Sequence, residues 1–462
     1  MSTFSLIFIA VLGVALLLFL VIVARLQAFI ALLISSLFVA VIGGIPPGDI
    51  ANVIREGMGN TLGYIAIIIG LGAMFGELLQ ASGGAETISN TLVKRFGDER
   101  APWALGFTGL IIAIPVFFDV ALILLIPLIY SLARRSGRSL LFYGIPLTAG
   151  IAVAHSFIPP TPGPVAVAGL LGADLGWVIL FGLIAGVPAM IVGGIFFGRY
   201  IADKIHLEVP LGATNASSEA VQQEEAAEIA ESRVHTAKEP LSFGLVLAII
   251  AVPLVLILFN TVSAVLLPED NPLLGWIAFI GHPFVALTIA ALMSFYFLGI
   301  RQGFTQREVL QFATKSLEPV GLIILVTGAG GVFGRVLVET GIGEALADLM
   351  AASNLPIIVL AFLIATMVRV SQGSATVSMV TAAGLIAPAV ELGNYSPPLV
   401  GAITISIASG ATVLSHVNDS GFWLVGRFFD MTEAQTLRSW TVLETILGVV
   451  GFLVVLVASF FL

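Results

Sequence analysis

The chain has 462 residues, of which 58% are apolar and only 10% charged. A soluble domain is about one-quarter charged, so this composition excludes a soluble globular protein and points to a chain that crosses a membrane many times. The net charge of −9 comes without any basic stripe, which excludes a nucleic-acid partner, and the lack of cysteine excludes disulfides and thiolate metal sites.

Apolar spans fall at about 4–23, 28–44, 61–81, 176–198, 242–266, 276–300, 319–338 and 441–462. The first has no Lys/Arg-bearing leader region and is long enough to span, so it reads as a retained helix. Four other apolar stretches are interrupted at their centres. Residues 103–131 carry Pro115 to Asp119, and 355–389 carry Arg369 to Thr376; this pair reads as re-entrant hairpins. Residues 140–172 carry His155 to Pro164, and 399–426 carry Ser415 to Gly421; this pair reads as broken spanning helices. Irregular backbone at membrane depth needs protein or water beside it, so the four breaks are expected to meet. The acidic stretch 203–240 reads as a solvated cytoplasmic linker between a first half, 1–202, and a second half, 241–462.

The halves resemble each other. The run around Phe75-Gly76, up to Gly84-Ala85-Glu86, matches the run around Phe333-Gly334, up to Ile342-Gly343-Glu344. From Phe75 to Asp119 is 44 residues and from Phe333 to Gly373 is 40; from Phe75 to His155 is 80 and from Phe333 to His416 is 83. The matching helices are the third and eighth spans. Their separation is odd, so the repeats are inverted, which with broken helices is the pattern of a secondary transporter. Of the 19 Lys and Arg residues, 16 fall in loops on one side of this topology and Arg55 alone on the other. The charge-rich side is the cytoplasm, which leaves both termini outside. The expected fold is therefore an all-α polytopic membrane protein, an inverted-repeat carrier with two re-entrant hairpins and two broken helices.

The polar residues at the breaks carry the chemistry. Each costs a few kcal/mol (roughly) if left unpaired in lipid. At the first hairpin, Asp119 reads either as a cap of the returning half-helix or as a proton-titrating carboxylate. At the first broken helix, Pro159, Pro160, Pro162 and Pro164 stop the helix, and His155 reads as structural or as a proton carrier. At the second hairpin, Arg369 either binds an anionic substrate directly or pairs with Asp119 or Asp419. Ser371, Gln372, Gly373, Ser374 and Thr376 follow it where a half-helix restarts, with free N–H groups that attract an anion. At the second broken helix, Asn418 and Ser420 suit substrate hydroxyls, and His416 and Asp419 suit protons. Together these features favour a small, polyhydroxylated anion. A hard cation such as Na⁺ among hairpin carbonyls and Asn418 is the competing coupling ion. The sequence has no H-E-x-x-H and no G-x-x-x-x-G-K-[ST], so no enzyme, ATPase or cofactor is expected.

The segments I-P-V-F-F-D-V, A-H-S-F-I-P-P-T-P-G-P, R-V-S-Q-G-S-A-T-V and S-H-V-N-D-S-G-F-W resemble those of the gluconate permease family of proton symporters, within the wider ion transporter superfamily. The similarity covers nearly the whole chain. It implies uptake of gluconate, or a related sugar acid or D-serine, with protons across a bacterial inner membrane. It implies that Asp119, His155, Arg369, Ser371, Gln372, Gly373, Ser374, His416, Asn418 and Asp419 line the site, to which Thr161, Thr376 and Ser420 are added as expected substrate-binding residues at the breaks. By analogy within the superfamily it also implies a homodimer of scaffold helices around a moving transport unit.

Overall fold

The computed structural model describes residues 2–97, 100–210, 241–268, 270–345 and 355–462. The expected linker over 203–240 lies outside the described residues from 211 onward. Among the described residues there is no strand, and nine helices are long and apolar enough to cross a membrane.

The first half runs α1 (Thr3–Leu18), α2 (Ala28–Ile42), the 35-residue α3 (Pro47–Ala81) and the surface helix α4 (Gly84–Phe96). A helix pair follows, α5 (Ala101–Ile112) and α6 (Phe118–Ser136), joined by a short turn through Pro115. Next come α7 (Leu140–Phe157) and α8 (Pro162–Leu171), two parts of one interrupted span, then α9 (Leu175–Ala189), which continues through a wide turn into α10 (Gly198–Lys204).

The second half opens with α11 (Phe243–Leu266), α12 (Leu274–Gly281), α13 (Pro283–Met293) and the surface helix α14 (Gln306–Lys315). After α15 (Glu318–Glu339) comes a second helix pair, α16 (Ile357–Gln372) and α17 (Ala375–Leu392), joined through Gly373 and Ser374. A second interrupted span follows, α18 (Pro397–Gly410) and α19 (Ser420–Phe428), and then the short α20 (Glu433–Thr436) and the last helix α21 (Val442–Ser459). The fold class expected from the pattern of interruptions is the one observed.

Two spans differ from expectation. The third helix starts at Pro47 rather than near 61, because Pro47 at its first position and Asp49 in its first turn favour a helix start well before the apolar run. The span expected over 276–300 is split at His282–Pro283. The proline requires extended backbone before it, and His282 has φ −61° and ψ 133°. His282 then caps α13, its Nδ1 accepting from the Phe284 N–H at 3.3 Å.

The two halves reuse one packing scheme. The first arm of each hairpin lies on the first part of the broken helix that follows, α5 on α7 and α16 on α18. Both contacts need glycine. A Cβ on Gly150 would sit 2.0 Å from the Gly106 carbonyl oxygen, and one on Gly410 would sit 2.3 Å from that of Phe362. Close backbone contact of this kind holds helices together where no hydrophobic drive between them exists. The main core unites both hairpins, both broken helices and α21. A second cluster joins α1, α2, the start of α3 and α15.

Candidate functional site

The four breaks meet. Phe118, at the tip of the first hairpin, has its ring 6.4 Å from that of His155 on α7 and 5.4 Å from that of Trp440, just before α21. Ile114 to Phe117 share a small cavity with Pro160, Thr161 and Pro162 of the first broken helix. A Cβ on Gly163 would sit 2.7 Å from the sulfur of Met379, so α8 lies directly on α17. The second hairpin and the second broken helix are tied most tightly: His416 Nε2 and Asn418 Nδ2 each donate to the Val370 carbonyl at 3.0 Å. Gly373 has φ +93°, and a Cβ there would sit 2.1 Å from the Asn418 carbonyl oxygen, so only glycine fits.

At this junction Arg369 is 1% exposed, and its Nη2 donates to Asp419 Oδ2 at 2.6 Å. Asp419 is held from three directions. Ser415 Oγ donates to Oδ2 at 2.5 Å, and the Gly421 N–H donates to Oδ1 at 3.2 Å, which makes Asp419 the cap of α19. Trp440 Nε1 donates to Ser415 Oγ at 2.7 Å, and the Thr441 hydroxyl donates to the Ser415 carbonyl. Of the two pairings open for Arg369, Asp119 and Asp419, the fold adopts the second.

A guanidinium has two edges of paired donors, and both include Nη2, which carries two hydrogens. Asp419 takes one of them. Arg369 Nε and Nη1 are buried and have no partner, so one complete two-donor edge is free. A buried donor pair of this kind has the geometry to accept an oxyanion such as a carboxylate.

The remaining expected site residues divide into two groups. Ser374 caps α17, its Oγ accepting from the Val377 N–H at 3.4 Å, and Thr376 lies in the first turn beside Gly163. Gln372 ends α16 with a buried, unpartnered Oε1, and His155 has a buried, unpartnered Nδ1. Asn418 and Ser420 are exposed at the start of α19. Two residues are occupied locally instead. Ser371 Oγ bonds back to the Met367 carbonyl at 2.8 Å, and Thr161 Oγ1 donates to the Ile158 carbonyl at 2.6 Å. Asp119 is not a cap: Phe117 takes that position, and Asp119 stands exposed in the first turn of α6, next to Phe118, whose ring lies by His155 and Trp440.

Sequence reasoning missed Glu444. It sits on α21 one turn beyond Trp440, is 4% exposed, and has an Oε1 with no partner. The signal was present: it is the one acidic residue between Ala434 and Leu462.

Comparison with known proteins decides the family. A sequence model of the GntP family permeases matches residues 5–461. The chain belongs to the GntP permease family. The low-affinity gluconate transporter of Escherichia coli K12 is 43% identical to this permease over 458 residues, 99% of each chain. The gluconate permease of Pseudomonas aeruginosa is 38% identical over 437 residues, 94% of this chain and 93% of the relative. The crystal structure of the YdaH transporter of Alcanivorax borkumensis has the same fold, with a TM-score of 0.56, 15% identity and 90% of each chain covered. The permease is thus a multi-pass membrane protein and a transporter rather than an enzyme.

Proposed function

We propose that the permease imports gluconate, or a closely related sugar acid, together with protons across the inner membrane by alternating access. The buried free edge of Arg369 carries this reading, since its paired donors match the two oxygens of a carboxylate. The half-helices α6, α8, α17 and α19 all begin at the breaks, so their positive N-terminal ends add to the attraction for an anion. Exposed Asn418 and Ser420 are suited to sugar hydroxyls. The names of the relatives described above point to gluconate.

Charge balance favours a coupled proton. Arg369 and Asp419 already neutralise each other. A bound sugar acid leaves one surplus negative charge in a desolvated site, and a proton on a neighbouring carboxylate or histidine removes it. Asp119, His155, His416 and Asp419 are the break residues able to take it.

Alternating access draws support from an asymmetry between the two ends. α17 packs along α8, whereas α6 and α19 touch lightly, with Tyr130 donating to the Phe428 carbonyl at 2.5 Å. In the topology read from the loop charges, with both termini periplasmic, this asymmetry supports a carrier packed more tightly on its outer side than on its inner side. The superfamily analogy further favours a homodimer. Counterflow in proteoliposomes tests the reading: unlabelled gluconate loaded inside is expected to drive uptake of external labelled gluconate at equal pH. Failure of any hydroxy-carboxylate to exchange would overturn it.

A further inference from the structure

Glu444 belongs to none of the four breaks, yet the fold brings it to them. Trp440 and Thr441, one turn before it, grip Ser415, and Thr445 beside it accepts from the Leu414 N–H at 3.3 Å. Glu444 therefore lies behind the backbone of the second broken helix, one turn from the residues that hold Ser415, which in turn bonds the Asp419 carboxylate paired with Arg369. Behind that backbone, Glu444 Oε1 and Ser409 Oγ are buried and unpartnered, as are Arg369 Nε and Nη1. Buried polar atoms without partners are uncommon in a folded protein and mark places with a task.

The helices packed on α21 bring few other titratable groups. α9 and α18 contain none. α7 brings His155 (its Tyr143 lies at the other end), α16 brings Arg369, and the break between α18 and α19 brings His416 and Asp419. The turn Leu437–Thr441 that leads into α21 carries Arg438, which is exposed, so Arg369 is the buried permanent cation among them, and it has donors to spare.

We propose that Glu444 is the carboxylate that exchanges the coupled proton, because it and the substrate carboxylate compete for the free donors of Arg369. With the site empty, Glu444 can ionise by turning to those donors. With the substrate anion on them, an ionised Glu444 would be a third carboxylate around one guanidinium, buried and without a donor. It then holds a proton, as Glu-COO⁻ plus H⁺ gives Glu-COOH. One anion bound requires one proton bound, and by linkage the proton strengthens anion binding by the same factor. This assignment rests on the sugar-acid reading and names the residue that reading left open.

The test is the pH dependence of gluconate affinity, measured by calorimetry on purified protein. Wild type is expected to lose affinity as pH rises, approaching tenfold per pH unit on the alkaline limb. Glu444→Gln, a neutral mimic of the protonated acid, is expected to bind with a flat profile. A Gln variant that keeps the wild-type slope overturns the proposal and moves the proton to Asp419, His155 or His416. Glu444→Asp guards against a misfolded Gln variant: it is expected to keep a slope, and a flat Asp variant also overturns the proposal. Wild type that binds gluconate without any slope overturns it while leaving sugar-acid transport intact. Wild type indifferent to every sugar acid overturns the transport reading, and this inference with it.

Discussion

The two broken helices occupy equivalent places in the repeat but are built differently. The first break, Ile158 to Thr161, is four residues long, fully buried, and closed on itself by the Thr161–Ile158 hydrogen bond. The second, Ala411 to Asp419, is nine residues long, exposes Val417 and Asn418, and sends its polar groups to other elements: Asp419 to Arg369, Asn418 and His416 to Val370, Ser415 to Trp440 and Thr441. One copy became a frame and the other a site. Proline explains much of this. Its lost N–H groups leave the first break with few donors to satisfy, so it can be short and dry. The second break keeps its N–H groups and carboxylate, and needs partners outside itself.

That contrast can be broken by substitution. Arg369→Lys keeps the charge but loses the paired-donor edge, and uptake is expected to fall on the order of 100-fold, with membrane insertion unchanged on a blot of the membrane fraction. Insertion with wild-type uptake would remove Arg369 from the site. Gly373→Ala forces a Cβ into the Asn418 carbonyl and a non-glycine residue to φ +93°, so the second hairpin must part from the second break. Uptake is expected to fall about tenfold or more, since strain of roughly 1–3 kcal/mol falls on the junction itself.

Smaller changes sharpen the comparison. Ser415→Ala removes the link between Trp440 and Asp419 and is expected to cost about 1–3 kcal/mol, read as a lower unfolding temperature in detergent together with weakened uptake. Thr161→Val removes a bond that stays within the first break. It is expected to cost about 1 kcal/mol of stability and leave uptake within about twofold. If the two substitutions affected transport equally, the division into frame and site would fail. Because the chain has no native cysteine, Ser420→Cys offers a clean label: a membrane-impermeant maleimide is expected to reach it from the cytoplasmic face, and gluconate to slow the reaction.

Much of this was legible in the sequence because a bilayer enforces it. An apolar run interrupted by prolines or by Arg and Asp has few ways to satisfy its backbone in lipid, so residues 103–131, 140–172, 355–389 and 399–426 announced themselves as interrupted. The matching runs around Phe75 and Phe333 and the odd number of crossings between them then supplied the inverted repeat, and loop charge its expected orientation. Pairing was another matter. Nothing in the residue order said that Arg369 would choose Asp419 over Asp119, that Asp119 would stand in the first turn of α6 rather than cap it, or that Ser371 and Thr161 would spend their hydroxyls on their own backbone.

Glu444 marks the boundary most clearly. Alone in an apolar helix, it looks from the sequence like a residue near the end of a span, where its head group can reach water. The spacing of interruptions along the chain determined how many times it breaks and in which order. Only packing brought α21 behind the second break and enclosed Glu444 on the turn after the residues that hold Ser415. Local composition dictates where a helix must stop, because backbone satisfaction is a local demand. Which charges meet depends on contacts between residues far apart in the chain, and those exist only once the helices have packed.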